Sequence, residues 1–99
     1  MNQLEVLRES LGQCDEIILD ALLMRNRIVE DIMVYKEANN VPILQPEQEA
    51  KQKEGRERRM QEKRHKNEVA DVFESITRNS KKIQARKLFN YNIVLIGFM

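Results

Sequence analysis

The sequence has no tryptophan, one cysteine, two prolines and three glycines in 99 residues. So little proline and glycine, with only three phenylalanines and two tyrosines, reads as a mostly helical chain. A lone cysteine rules out an intrachain disulfide framework. Cys14 lies in a helical seam and reads as a small buried apolar residue in a reducing, cytoplasmic setting. Charge of one sign is also lacking. The formal net charge is +1, so no global field recruits nucleic acid or a membrane surface. The longest apolar run, Ile93 to Met99, is too short to span a bilayer and contains Gly97. No basic segment followed by an apolar run stands near the start, so no signal peptide is expected. There is no metal-ligand spacing, no nucleophile–base pair and no glycine-rich phosphate loop. The single histidine, His65, sits in a polar stretch and is a poor catalytic candidate. Metal, cofactor and covalent-nucleophile chemistries therefore have no foothold in the pattern.

What is present is a long seam. Apolar residues recur at Leu4, Leu7, Leu11, Cys14, Ile18 and Ala21, then, after a gap at position 25, at Ile28, Ile32 and Tyr35. This alternating three-and-four spacing marks a helix, expected from about Gln3 to Ala38. Asn39-Asn40 and then Pro42 end it. At about 1.5 Å per residue such a helix is roughly 52 Å long. A compact domain of this size is only about 35 Å across. One subunit cannot cover both ends, and a second subunit is expected to do so.

Two further helices follow. Gln45-Pro46-Glu47 reads as a helix start, and the second helix should run from Pro46 to about Arg64. Between Gln48 and Arg64 its only apolar residues are Ala50 and Met60, so it offers little to a core. His65-Lys66-Asn67 reads as a turn with Asn67 as N-cap. The third helix is expected from Glu68 to about Phe89, with a seam at Val69, Val72, Phe73, Ile76, Ser80 and Ile83. The division is thus one all-α domain over residues 1–90 and a tail over 91–99, packed as an irregular strand or as a cover for apolar surface. Charge is uneven: residues 1–40 sum to −4 and residues 51–66 to +5.

Both long seams turn polar in the middle. Arg25 fills the gap in the first helix, and an unpaired guanidinium in a seam costs free energy. Lys36 lies eleven residues on, about 20° away around the axis and about 16 Å along it. Ser80 interrupts the third seam, and Gln84 follows one turn later on the same face. Glu49 follows Gln45 by one turn in the second helix. Brought together, these residues form a polar pocket with fixed cations between apolar layers. Its simplest occupant is a small anion with more than one acidic group. Arg8, seventeen residues before Arg25, is rotated by about 260° and cannot reach that pocket from the same helix; from an antiparallel partner it could. Plainer readings stand beside these. A seam arginine can set register, Lys36 can serve the helix dipole, and Ser80 can bond its own backbone. Glu49 can be a solvated first-turn acid, and Arg8 a surface charge.

The order and spacing of these pieces resemble the small all-helical chorismate mutases, the bacterial type built as intertwined helical dimers. The resemblance covers about Leu4 to Gln84. It rests on Leu7-Arg8-Glu9, Cys14 to Ile18, Leu22 to Arg27, Tyr35-Lys36, Val41-Pro42-Ile43, Gln45 to Glu49, and Asn79-Ser80 with Gln84. It implies a three-helix subunit in an entwined homodimer. The implied activity is conversion of chorismate to prephenate, an isomerase step of the shikimate route towards phenylalanine and tyrosine, without a cofactor. In the family's pattern Arg25 and the partner subunit's Arg8 grip the substrate's two carboxylates. Lys36 contacts a carboxylate and the ether oxygen of the breaking bond, and Gln84 donates to that oxygen. Glu49 accepts from the ring hydroxyl, and Ser80 assists a carboxylate. Gln45 stands where many relatives have Asp and Gln48 where many have Arg, both bordering the hydroxyl-binding side. The competing expectation, from another class, is a helical dimerisation module whose basic run 51–66 binds nucleic acid.

Overall fold

The computed structural model describes residues 2–97, and the side chains of residues 2–88. It is all-α, with α1 at Gln3–Ala38, α2 at Pro46–Met60 and α3 at Lys66–Gly97, and no strand among the described residues. α1 starts at a side-chain cap: Asn2 Oδ1 accepts from the Glu5 backbone N–H at 2.8 Å. It stops as the paired asparagines require. The Asn39 N–H still donates to Tyr35 O, Asn40 takes a left-handed φ of 55°, and the Val41 N–H returns to Lys36 O at 2.8 Å. That closing bond folds the connector back over the end of α1.

α2 begins at Pro46 behind Gln45, with Glu47 and Glu49 in its first turn. It ends at Met60, a turn before the expected Arg64. Residues 61–68 carry no apolar side chain, so nothing draws another turn onto the neighbouring helix. Glu62 and His65 instead take left-handed φ values of 63° and 59° and reverse the chain. α3 then begins at Lys66, which puts Asn67 inside the first turn rather than at the cap. It also runs past the expected end near Phe89 to Gly97, so the tail, expected as an irregular strand or as a cover for apolar surface, is helical backbone as far as Gly97. No proline or glycine interrupts residues 66–96. The last two residues of that tail, Phe98 and Met99, lie outside the described residues.

α1 and α3 make the main contact, between the second half of α1 and the middle of α3. The face of α1 turned to α3 carries Leu22, Arg25, Asn26, Val29, Met33 and Lys36, all partly or fully buried. The expected seam lies beside it. Ile28, Ile32 and Tyr35 are exposed, as are Leu4, Leu7 and Cys14; Leu11 is 61% and Ile18 50% exposed. The helix is therefore two-faced. One apolar stripe serves α3, and the longer one is left uncovered, which is why Cys14 is not buried within the chain. Only Val29 and Met33 are buried apolar residues among those described. The molecule measures 64 × 32 × 16 Å with a radius of gyration of 18.2 Å, against about 13 Å for a compact domain of this size. α1 alone, with 36 residues, is about 54 Å long.

Two substitutions probe this arrangement by denaturant unfolding. Met33→Ala removes one of the two buried apolar side chains and should destabilise by about 2–4 kcal/mol. A methyl group added at Gly55, inside α2, meets nothing within 4 Å. Gly55→Ala should therefore stabilise by roughly 0.5–1 kcal/mol.

Candidate active site

The contact between α1 and α3 turns polar where both sequences do. Lys36, Ser80 and Gln84 are the buried polar residues of the described chain, at 8, 7 and 8% exposure. Lys36 Nζ donates to Gln84 Oε1 and to the backbone oxygen of Ile43, both at 2.9 Å. The second bond depends on the turn at Asn40, which carries the connector across the lysine. An ammonium group can only donate, so it fixes Gln84 with the carboxamide oxygen inward and the NH₂ free to donate. That NH₂ has one long contact, 3.4 Å to Ser80 O, and a second proton to offer. Lys36 has three donors. Two meet neutral oxygens, and the third has no partner among the described residues.

One end of this cluster is built around Arg25. Its Nη1 donates to Ser80 Oγ, and Ser80 Oγ donates to Ile76 O at 2.9 Å. Ser80 thus bonds its own backbone, as its plain reading expects, and meets Arg25 with the same hydroxyl. Glu49 comes in from α2, half-buried, where Lys81 Nζ meets its Oε1 at 3.1 Å. Burial pushes the Lys36 ammonium below the ordinary lysine range, partly offset by the negative charge of Glu49. Arg25 is lowered too, first by burial and then by the charge of Arg56. Every buried side-chain nitrogen or oxygen among the described residues has a hydrogen-bond partner.

Of the eight sequence-derived candidates, five meet here: Arg25, Lys36, Glu49, Ser80 and Gln84. Gln45 and Gln48 are exposed at the start of α2 and make no side-chain hydrogen bond among the described residues. Arg8 is exposed, about 26 Å from Arg25 along α1. A separate hollow of about 580 Å³ opens next to the cluster, lined by Met33, Pro42, Ile43, Leu44, Ala85 and Leu88 with Glu37 and Lys81. Its walls are mostly apolar and include an acid, so the cluster rather than this hollow suits an anion. Three participants escaped the sequence reading. The Ile43 carbonyl is backbone and leaves no sequence mark. Lys81 joins Glu49 only through the tertiary fold. Arg56 was concealed in the basic run, although its seven-residue spacing from Glu49 puts both on one face of α2. That run does not present a uniform basic surface: Arg58 pairs with Glu54 at 3.0 Å, and Arg56 turns inward.

The fold and cluster define an all-helical chain that gathers cationic and amide side chains between α1 and α3, with α2 as a third wall. Comparison with known proteins adds the family. A family model, chorismate mutase type II, matches residues 7–85, and the chain belongs to that family. No curated protein and no solved structure matches. No helix among the described residues is long and apolar enough to cross a membrane.

The lowered Lys36 gives a signed expectation for stability. Below both pKa values the lysine is charged in the folded and unfolded chain, and its desolvation cost is fully present. Between the lowered folded value and the unfolded value near 10.4 the unfolded chain binds more protons, so stability rises with pH. Urea unfolding of wild type should show this rise as pH climbs towards 10.4. Lys36→Met, which has nothing to titrate, should show a smaller one.

Proposed function

We propose that this chain is a chorismate mutase, converting chorismate to prephenate in a site built from Arg25, Lys36, Glu49, Ser80 and Gln84. The observation that carries the reading is the contact of Lys36 Nζ with Gln84 Oε1 at 2.9 Å, inside the span matched by the family. It sets two donors side by side with no acid directly bonded to either. The reaction is a rearrangement within one molecule: the ether C–O bond breaks as a C–C bond forms between the enolpyruvyl methylene and the ring. No group enters or leaves, so no nucleophile, base or cofactor is called for.

Two physical effects remain for the protein to supply. The first is conformational restriction, holding the enolpyruvyl arm over the ring in a reactive chair. Arg25, kept in place by Ser80, takes one carboxylate through its planar fork. The second is charge stabilisation. As the C–O bond lengthens, negative charge grows on the ether oxygen, and the spare Lys36 and Gln84 protons are the donors for it. Glu49 accepts from the ring hydroxyl, and Lys81 holds its carboxylate in place. Gln45 and Gln48 border that side of the site.

The active form in this proposal is an intertwined homodimer. The support is the uncovered stripe of α1, with Leu7, Leu11 and Ile18 at least half exposed, on a molecule only 16 Å thick in its shortest dimension. An antiparallel copy would cover that stripe and carry the partner subunit's Arg8 towards this chain's Arg25. The distance between the two arginines within one chain is then a requirement of the design.

The direct test is an absorbance assay of chorismate loss. Arg25→Ala should abolish turnover while the chain stays folded, and near-normal turnover would refute its role. Mixing Arg8→Ala with Arg25→Ala subunits, each inactive alone, should restore up to one working site per heterodimer. No recovery from confirmed heterodimers would count against a shared site. The basic limb of kcat/KM should lie below the usual lysine value of about 10.4, because burial lowers Lys36 in the free enzyme. The limb of kcat should lie at higher pH, because a bound dianion favours the charged lysine.

A further inference from the structure

Arg56 lies in the middle of the most charged stretch of the chain, yet its side chain does not go to solvent. It is half-buried, with its guanidinium carbon 4.9 Å from the centre of the Phe73 ring. The register of α2 against α3 explains the placement. Glu49 and Arg56 are seven residues apart, as are Phe73 and Ser80, so each pair shares a helix face within about 20°. Glu49 meets Lys81 and Arg56 meets Phe73, so α2 runs antiparallel to α3 along that face. Arg56 therefore sits on the same wall as Glu49, two turns further along. Phe73 is two turns from Ser80, the residue that holds Arg25.

Arg56 has no acidic partner within salt-bridge distance and makes no side-chain hydrogen bond among the described residues. Stacking covers one face of a guanidinium but leaves its N–H edge free to donate. Arg25 likewise has a hydroxyl and no carboxylate. Its pKa is lowered first by burial and then by the charge of Arg56. Two half-buried like charges repel, and an arrangement of this kind gains when an anion lies between them.

We propose that Arg56 is a substrate-binding residue, its guanidinium stacked on Phe73 and paired with Arg25 in a two-arginine clamp on one carboxylate of the substrate. The assignment rests on the chorismate mutase reading and deepens it. It makes α2 part of the anion site through a residue other than Glu49. It leaves the second carboxylate to Lys36 and the partner subunit's Arg8.

The test compares wild type, Arg56→Ala, Arg56→Met and Arg56→Lys in the full chain, with chorismate as the probe. Arg56→Met keeps an apolar stem over Phe73 and removes only the charge, so it separates binding from packing. The carboxylate is equally charged before and during the reaction, so the loss should fall mainly on KM rather than kcat. Both Arg56→Ala and Arg56→Met should lose about ten- to hundredfold in kcat/KM, and Arg56→Lys should recover part of it. Wild-type KM in Arg56→Met, or a fall in melting temperature in Arg56→Ala without a change in KM, would overturn the proposal and leave the mutase reading intact. Absence of turnover in wild type would overturn both.

Discussion

An ammonium group enclosed between two helices, bonded only to neutral oxygens, constrains everything else in this chain. Lys36 is buried with no counter-ion in direct contact among the described residues, which water-to-protein transfer strongly disfavours. The cost is contained because each of its two contacts is itself fixed. Gln84 is held in one orientation by the lysine, and the Ile43 carbonyl is presented by a turn whose own bond ends on Lys36 O. Glu49 adds a negative charge at longer range. Burial still outweighs Glu49, so the lysine's pKa stays below the ordinary range and its charged form is under-neutralised. A cation in that state has more to gain from an anionic guest than one already paired.

The two stripes of α1 divide the labour of the subunit. The stripe holding Val29 and Met33 is short, and its polar members Arg25 and Lys36 stand on either side of those two residues. The outer stripe, from Leu4 to Tyr35, is longer and entirely apolar apart from Arg25, which lies at the boundary of the two. Among the described residues little apolar surface is buried beside this 36-residue helix, and helices draw most of their stability from tertiary packing. That uncovered stripe is the surface the proposed homodimer would bury.

Much of this was legible in the sequence because helices write their contacts at fixed spacing. The bounds of α1 followed from Asn39, Asn40 and Pro42. The polar breaks at Arg25, Ser80 and Gln84 mark the residues that meet Lys36 or one another. In the second half of α1 the seam at Ile28, Ile32 and Tyr35 lies one residue beside the stripe at Val29, Met33 and Lys36 that packs on α3. Both stripes are present there, and periodicity alone does not say which one the chain's own helix will take. The end of α2 and the start of α3 were misplaced because residues 61–68 carry no apolar signal, so backbone conformation at Glu62 and His65 decided the matter. Arg56 was missed for the opposite reason: among many charges, one inward guanidinium looks like its neighbours.

The lysine at the centre of the buried cluster also stands in the last turn of its helix. Its carbonyl accepts from the Val41 N–H and its ammonium donates to the Ile43 carbonyl oxygen, so a loop of only a few residues is tied at two points to a single amino acid. Exposed connectors ordinarily accept changes of length during evolution, but this one cannot lengthen or shorten without moving the charge it encloses. Its residues can drift in identity while its residue count stays frozen, a loop on the surface of the protein that evolves as though it were in the core.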